Sequence, residues 1–310
     1  MTSIAILELV NVVKRFGRVV ALDSLTLSME RSETLGLVGP NGAGKTTTVR
    51  VSIGVLKRDS GEVRLFGEDP WLNPGVRRLV GVVHDKPAFP EGLKCIDWLY
   101  RVCDIYGIDR SEARRALETV GLWDARDRKI KALSAGMKQR LAIAQAIVHN
   151  PQLLVLDEPF TNLDPPTRAS LAELLASLSR ERGLSIFITS HTLSDVLSLA
   201  SSIAVIHRGK VVFRGAPSDI SKLLRVSIVR VRCSNPSALA EWARGVEGVS
   251  RARVAGSDTL VLEVEPGRKG EVMAKLVDAA RALGVEVFDV ETRAPEIEEF
   301  LRRLSGEGRG

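Results

Sequence analysis

Three glycines in six residues lead into a lysine and a run of threonines: Gly39-Pro40-Asn41-Gly42-Ala43-Gly44-Lys45-Thr46-Thr47. The spacing G-x-x-x-x-G-K-[ST] lets backbone N–H groups turn inward around an anion, and a helix beginning near Lys45 adds its N-terminal partial positive charge. In such a loop the lysine bridges the β- and γ-phosphates of a nucleotide and the hydroxyl of Thr46 reaches Mg²⁺. A second chemical group follows in Leu153-Leu154-Val155-Leu156-Asp157-Glu158-Pro159. Its apolar run reads as a buried strand, which presents the terminal acids at the carboxyl edge of a sheet, where ligands of such sheets bind. Asp157 is the expected holder of Mg²⁺. Glu158, one residue later, is free to orient or deprotonate an attacking water, a task of hydrolases more than of mere binders. A third group is Ser134-Ala135-Gly136. These residues precede a helical pattern running to His149, so hydroxyl, amides and helix dipole form a second anion site.

The elements that must position these groups alternate along the first 220 or so residues. Ile6 to Val12, Val19 to Met29, Thr34 to Val38, Gly61 to Phe66, Leu153 to Leu156, Ser185 to Thr189, Ile203 to His207 and Lys210 to Arg214 read as strands. Lys45 to Ile53, Ile96 to Tyr106, Arg110 to Val120, Gly136 to His149, Pro165 to Glu181 and Thr192 to Ala200 read as helices. This alternation implies an α/β fold with a mainly parallel sheet covered on both faces. The paired strands at the start predict an antiparallel β subdomain, and the helices between about 93 and 132 a helical lobe. After Ser221 the pattern restarts: a strand Val226 to Cys233, a helix opened by Asn235-Pro236, two strands around Gly256-Ser257, a helix Lys269 to Leu283 and a strand Val285 to Val290. That order is the ferredoxin-like α+β arrangement, followed by a helix from Pro295 to Leu304. The division expected is therefore 1–224 for the first domain and 225–310 for an accessory one.

Composition narrows the function classes. The chain of 310 residues, 45% hydrophobic and 26% charged, is long enough for one large and one smaller core. No apolar run reaches the length of a membrane span, and Met1-Thr2-Ser3-Ile4 lacks the basic region of a signal peptide, so the cytoplasm is the expected compartment. Cys95, Cys103 and Cys233 lack metal or disulfide spacing and read as small buried residues. The net charge of +6 belongs to the first 224 residues, with 30 basic against 24 acidic side chains. No stretch interleaves aromatics with Arg and Lys as a single-strand binder would, so nucleic acid is not an expected partner.

At Leu133-Ser134-Ala135-Gly136-Met137-Lys138-Gln139-Arg140 the chain resembles the signature motif of ABC ATPases, and the resemblance covers roughly residues 4 to 220. It implies the P-loop NTPase fold of that family. Phe16, in Lys14-Arg15-Phe16-Gly17, stands where the family stacks an aromatic on adenine. Asn162-Leu163-Asp164 is similar to its D-loop, and His191, in Thr189-Ser190-His191, matches the switch histidine that contacts the γ-phosphate. Ala135 replaces the commoner glycine. Asp85, in Val83-His84-Asp85-Lys86-Pro87, occupies the place of a glutamine that touches Mg²⁺ and the water; a carboxylate there still coordinates a metal but adds negative charge beside the γ-phosphate. The resemblance implies ATP and Mg²⁺ as ligands, with Ser134 and Gly136 serving the nucleotide of a partner subunit in a head-to-tail ATPase dimer. It also implies a polytopic membrane permease as partner, gripped by the helical lobe in which Trp98 and Tyr100 read as packing residues, and a peripheral position on the cytoplasmic face of the membrane. The ending Ala294-Pro295-Glu296-Ile297-Glu298-Glu299-Phe300-Leu301 looks like that of ATPase subunits of the drug and antibiotic exporter branch. The accessory domain reads as a stabilising or dimerising appendage. Two other readings are a soluble ABC ATPase acting on nucleic acid or the ribosome, supported by the basic first domain alone, and a nucleotide sensor without hydrolysis, opposed by Glu158 and His191.

Overall fold

The computed structural model describes residues 5–223, 227–265, 267–293 and 301. The chain divides into two compact units, Met1–Pro217 and Ser218–Gly310, a division a few residues before the one expected at 224.

The first unit opens with β1 (Ala5–Phe16) and β2 (Val19–Glu30), joined through Gly17 in the left-handed region, and β4 (Ser60–Leu65) pairs antiparallel with the other edge of β1. Leu25, Leu27 and Met29 of β2 point inward while Thr26, Ser28 and Glu30 face out, the period of a half-buried strand. Between these strands lie β3 (Thr34–Val38) and α1 (Lys45–Ser52). The chain continues through β5 (Val80–Val83), α2 (Cys95–Tyr106), α3 (Ser111–Thr119), α4 (Ala135–Ile147), β6 (Leu153–Asp157), α5 (Pro165–Arg182), β7 (Ser185–Ser190), α6 (Leu193–Leu197), β8 (Ser202–His207) and β9 (Lys210–Gly215), after which α7 (Pro217–Leu223) begins at the last residue of this unit and runs into the second. The second sheet has the order β5-β6-β7-β3-β8-β9, parallel throughout except for β9. Every residue of β3, β6 and β7 is buried, which is why their sequences are apolar runs rather than alternations. One core joins both sheets to α1, with Leu7, Leu27, Leu35, Leu37, Val49 and Val155 among its members.

Register places the chemistry. Val38 pairs with Ser190 and Asp157 with Thr189, so the glycine loop, the acidic pair and His191 all emerge at one carboxyl edge.

Four expectations need correction. β5 was not anticipated, because four residues with a central glycine give too short a pattern to read. α7 was likewise unread. α6 spans only Leu193–Leu197 rather than Thr192 to Ala200, since the Leu199 and Ala200 amides share the Val196 carbonyl and the Ser201 amide leaves the helix for the Thr34 carbonyl of β3. The last strand runs Val287–Arg293, starting two residues and ending three residues later than read.

Gly81 in β5 exists for contact: a Cβ there would run into the carbonyl oxygen of Ala146 in α4. Gly81→Ala is therefore expected to destabilise the first unit by about 1–3 kcal/mol, read as a lower urea midpoint.

Behind the same strand, the ring of Tyr106 stacks on His149 at 4.1 Å between centroids. His149 Nε2 lies 3.2 Å from the carbonyl oxygen of Val80, which accepts, so Nε2 carries the proton; Nδ1 is buried without a partner among the described residues. Burial pushes the imidazole below its ordinary pKa, because protonating Nδ1 would create a buried donor with no acceptor. The unfolded chain then takes up the proton first, and stability falls as pH drops through about 6.5 toward the lower folded value. Relative to His149→Phe, the wild type is expected to lose urea resistance between about pH 7 and about pH 5, and a pH-independent difference would refute this.

The second unit comprises β10 (Ser227–Cys233), α8 (Pro236–Ala243), β11 (Val249–Ala255), β12 (Thr259–Val264), α9 (Lys269–Ala282) and β13 (Val287–Arg293). Its sheet has the order β11-β12-β10-β13 with all neighbours antiparallel. Val229, Val231, Leu260 and Leu262 form a core with Leu239 and Leu276 of its helices. The expected helix from Pro295 to Leu304 lies, apart from Leu301, outside the described residues. All three cysteines are buried and free.

Candidate nucleotide site

The loop leaves β3 flush against its neighbours. The Gly39 amide donates to the Ser190 carbonyl at 3.3 Å, and a side chain at Gly39 would strike the carbonyl oxygen of Ile206 in β8. Gly44 holds φ 112°, a conformation closed to other residues, as it turns the chain into α1. Ala43 is buried in the core, while Asn41 and Gly42 are exposed at the rim.

The Lys45 side chain is only 6% exposed and its ammonium is surrounded by acceptors: Gly39 O at 2.7 Å, Pro40 O at 3.1 Å and Glu158 Oε1 at 3.1 Å. Two of the three belong to the loop itself, so Glu158 is the partner an incoming anion can replace. Glu158 adopts φ 51°, a left-handed conformation costing on the order of 1 kcal/mol, directly after β6. Its other oxygen, Oε2, accepts from His191 Nδ1 at 2.8 Å and from the His191 amide at 3.2 Å. An ionised carboxylate only accepts, which fixes the ring proton on Nδ1. Asp157 is buried, and its Oδ1 accepts from the Thr189 hydroxyl at 2.7 Å. The same Thr189 oxygen accepts the Glu158 amide at 3.0 Å, so one hydroxyl braces both acids.

A cleft of about 450 Å³ opens at this edge. Of the residues anticipated from sequence, Asn41, Gly42, Gly44, Lys45, Thr46, Thr47, Asp85, Glu158, Asn162 and His191 line it. Gly39, Pro40 and Ala43 form the loop beneath, and Asp157 sits behind Glu158. Phe16 does not line the cleft. It is 51% exposed at the tip of the first hairpin, with the Lys14 ammonium 5.5 Å from its ring, and its strand partner Val19 lines the cleft together with Val20 and Ala21. Ser134 and Gly136 lie outside the cleft. Ser134 caps α4 by accepting from the Met137 amide at 3.3 Å, and Gly136 leaves room for Thr167 of α5. Sequence reasoning missed Val20, Ala21, Lys86, Thr161 and the brace Thr189. The only signal for the last was a hydroxyl residue ending a buried apolar strand just before His191.

The arrangement fits a nucleoside triphosphate. A buried ammonium with one replaceable partner, at the start of a helix and below a rim of unprotected backbone, is a phosphate cradle. Among the described residues no group of three or more His, Cys, Asp or Glu side chains gathers that could hold a metal ion by itself.

Comparison with known proteins points the same way. The family model described as "ABC transporter" matches residues 22–161. The bacitracin transport ATP-binding protein BcrA of Bacillus licheniformis is 30% identical over 305 residues, covering 98% of each chain. The daunorubicin/doxorubicin resistance ATP-binding protein DrrA of Streptomyces peucetius is 33% identical over 308 residues, covering 97% of this chain and 92% of its own. A solved ATP-binding subunit of an ABC transporter superposes with a TM-score of 0.63 at 27% identity, over 70% of this chain and 92% of that one. With the phosphate loop, the acidic pair and the histidine converging on one cleft, and with relatives aligned along nearly the whole chain, this protein belongs to the ABC transporter family as an ATP-binding subunit.

Proposed function

We propose that the chain hydrolyses ATP as one half of an ATPase dimer, to drive export through a separate polytopic permease at the cytoplasmic face of the membrane. The observation that carries the reading is the chain of contacts Lys45–Glu158–His191 inside the cleft, which joins a phosphate-binding cation, a carboxylate base and a histidine. Lys45 exchanges Glu158 for phosphate oxygens, and Glu158, released on that side, faces the attacking water. The water oxygen bonds the γ-phosphorus as the bond to the ADP oxygen breaks, and the water proton passes to Glu158. His191, held through Nδ1 by Glu158, turns its other ring nitrogen, Nε2, to the γ-phosphate. Thr46, Asp157 and Asp85 are the side chains that would hold Mg²⁺, which supplies neutralisation of phosphate charge. Phe16 at the hairpin tip is free to stack on the base.

Dimerisation is supported by the separation of Ser134 and Gly136 from the chain's own cleft, since the capped start of α4 is an anion site that one subunit does not use itself. Export is supported by the names of the relatives, one a bacitracin transport protein and the other a drug-resistance protein. A membrane partner is supported by the names of the same relatives, ATP-binding proteins of a transport and a resistance system. The reading is tested by recovering tagged Glu158→Gln protein with ATP and Mg²⁺ from gently solubilised native membranes. A polytopic partner is expected. Soluble or ribosomal partners alone, from membranes that retained their integral proteins, would overturn it.

A further inference from the structure

His191 is 45% exposed on a turn between β7 and α6, yet it must meet Glu158 within hydrogen-bond distance. A ring in that setting is aimed by its backbone. Ser190 and Thr192 flank it, and the Ser190 hydroxyl oxygen accepts the Thr192 amide at 3.0 Å, closing the turn. The same hydroxyl donates to Asp195 Oδ2 at 3.2 Å. Asp195 is only 6% exposed, and a carboxylate buried to that degree needs a counter-charge, which Arg168 supplies at 3.2 Å from Oδ1. Arg168 lies in the first turn of α5, a helix capped by Asp164, which accepts the Thr167 amide at 2.9 Å. Thr167 in turn packs over Gly136 at the start of α4.

We infer that Asp195 and Arg168 are positioning residues for His191: the pair anchors the turn that aims the histidine to the first turn of α5. Neither side chain lines the cleft, so both act through Ser190. The inference rests on the ATPase reading above. Because misplacement of a reacting group by about 1 Å can cost on the order of 100-fold in rate, a loosened turn is expected to slow turnover while nucleotide binding, set by the phosphate loop, stays in place.

The test is steady-state ATPase kinetics of the full-length chain carrying Asp195→Asn, Ser190→Ala or both. Each single variant is expected to lower kcat by about tenfold with KM for ATP within about twofold, and the double variant to be no slower than the slower single, since Asp195→Asn cuts the connection at Arg168 and Ser190→Ala cuts it at the turn, and one cut already frees the turn. Arg168→Gln should lower kcat alike, and Arg168→Lys, which keeps the charge, should restore most of it. If Asp195→Asn fails to fold, as judged by its urea midpoint, the Ser190 and Arg168 variants decide. Unchanged kcat in folded variants, or factors that multiply in the double variant, would overturn the inference while wild-type turnover leaves the ATPase reading standing. A wild-type chain without ATP turnover, alone and with its permease, would overturn both.

Discussion

Glu158→Gln should bind ATP at least as tightly as the wild type and hydrolyse it about 10²–10⁴-fold more slowly. The substitution keeps shape and the Oε acceptor that meets His191, so the geometry of the cleft is retained. It removes the negative charge that pairs with Lys45 at 3.1 Å, leaving the ammonium with less to give up when phosphate arrives. Among the described residues it also removes the only group in contact with both Lys45 and His191 that can take a proton from water. Binding and chemistry therefore separate, which titration of a fluorescent ATP analogue beside single-turnover hydrolysis will show. Wild-type turnover would sink the assignment of Glu158 as the base, and parallel loss of affinity would mean that its main role is to hold the loop.

Lys45→Met should do the opposite, weakening ATP binding itself. Removing one partner of a buried, hydrogen-bonded charge pair costs about 2–5 kcal/mol, which corresponds to a rise in Kd of roughly 30-fold to several thousand-fold. Three converging acceptors at 2.7 to 3.1 Å define a pocket for a compact ammonium. Lys45→Arg is accordingly a poor rescue, because a planar guanidinium cannot direct its donors into that geometry. Equilibrium binding of ATP with Mg²⁺ measures both variants, and near-wild-type affinity for Lys45→Met would remove this residue from the phosphate site.

The two variants also separate what was readable from what was folded. The phosphate loop, the acidic pair and the strand that presents it are local: each is a short run whose residue types declare the backbone they need. Gly44 is required where φ is 112°, and the apolar run before Asp157 is required in a strand buried on both sides. The antiparallel start of the chain and the βαββαβ order of the second unit were legible for the same reason, through periodicity and turn residues. β5 was not, since four residues hold too few periods and Gly81 is explained only by the Ala146 carbonyl it faces. Thr189 was invisible as a brace because its partners Asp157 and Glu158 lie more than thirty positions away.

By itself the sequence determined which groups are present and which ends of which elements carry them, because motif spacing and hydrophobic period act over a few residues. Tertiary structure alone decided their meeting. The order β5-β6-β7-β3-β8-β9 inserts β3, the first of these strands in the chain, between β7 and β8, and only that crossover topology sets Val38 against Ser190 and Asp157 against Thr189, so that Lys45 finds Glu158 and Glu158 finds His191. The same packing placed Phe16 outside the cleft and set Asp195 beneath the turn of His191, contacts made by residues distant in sequence or hidden behind a turn, which no local pattern can announce.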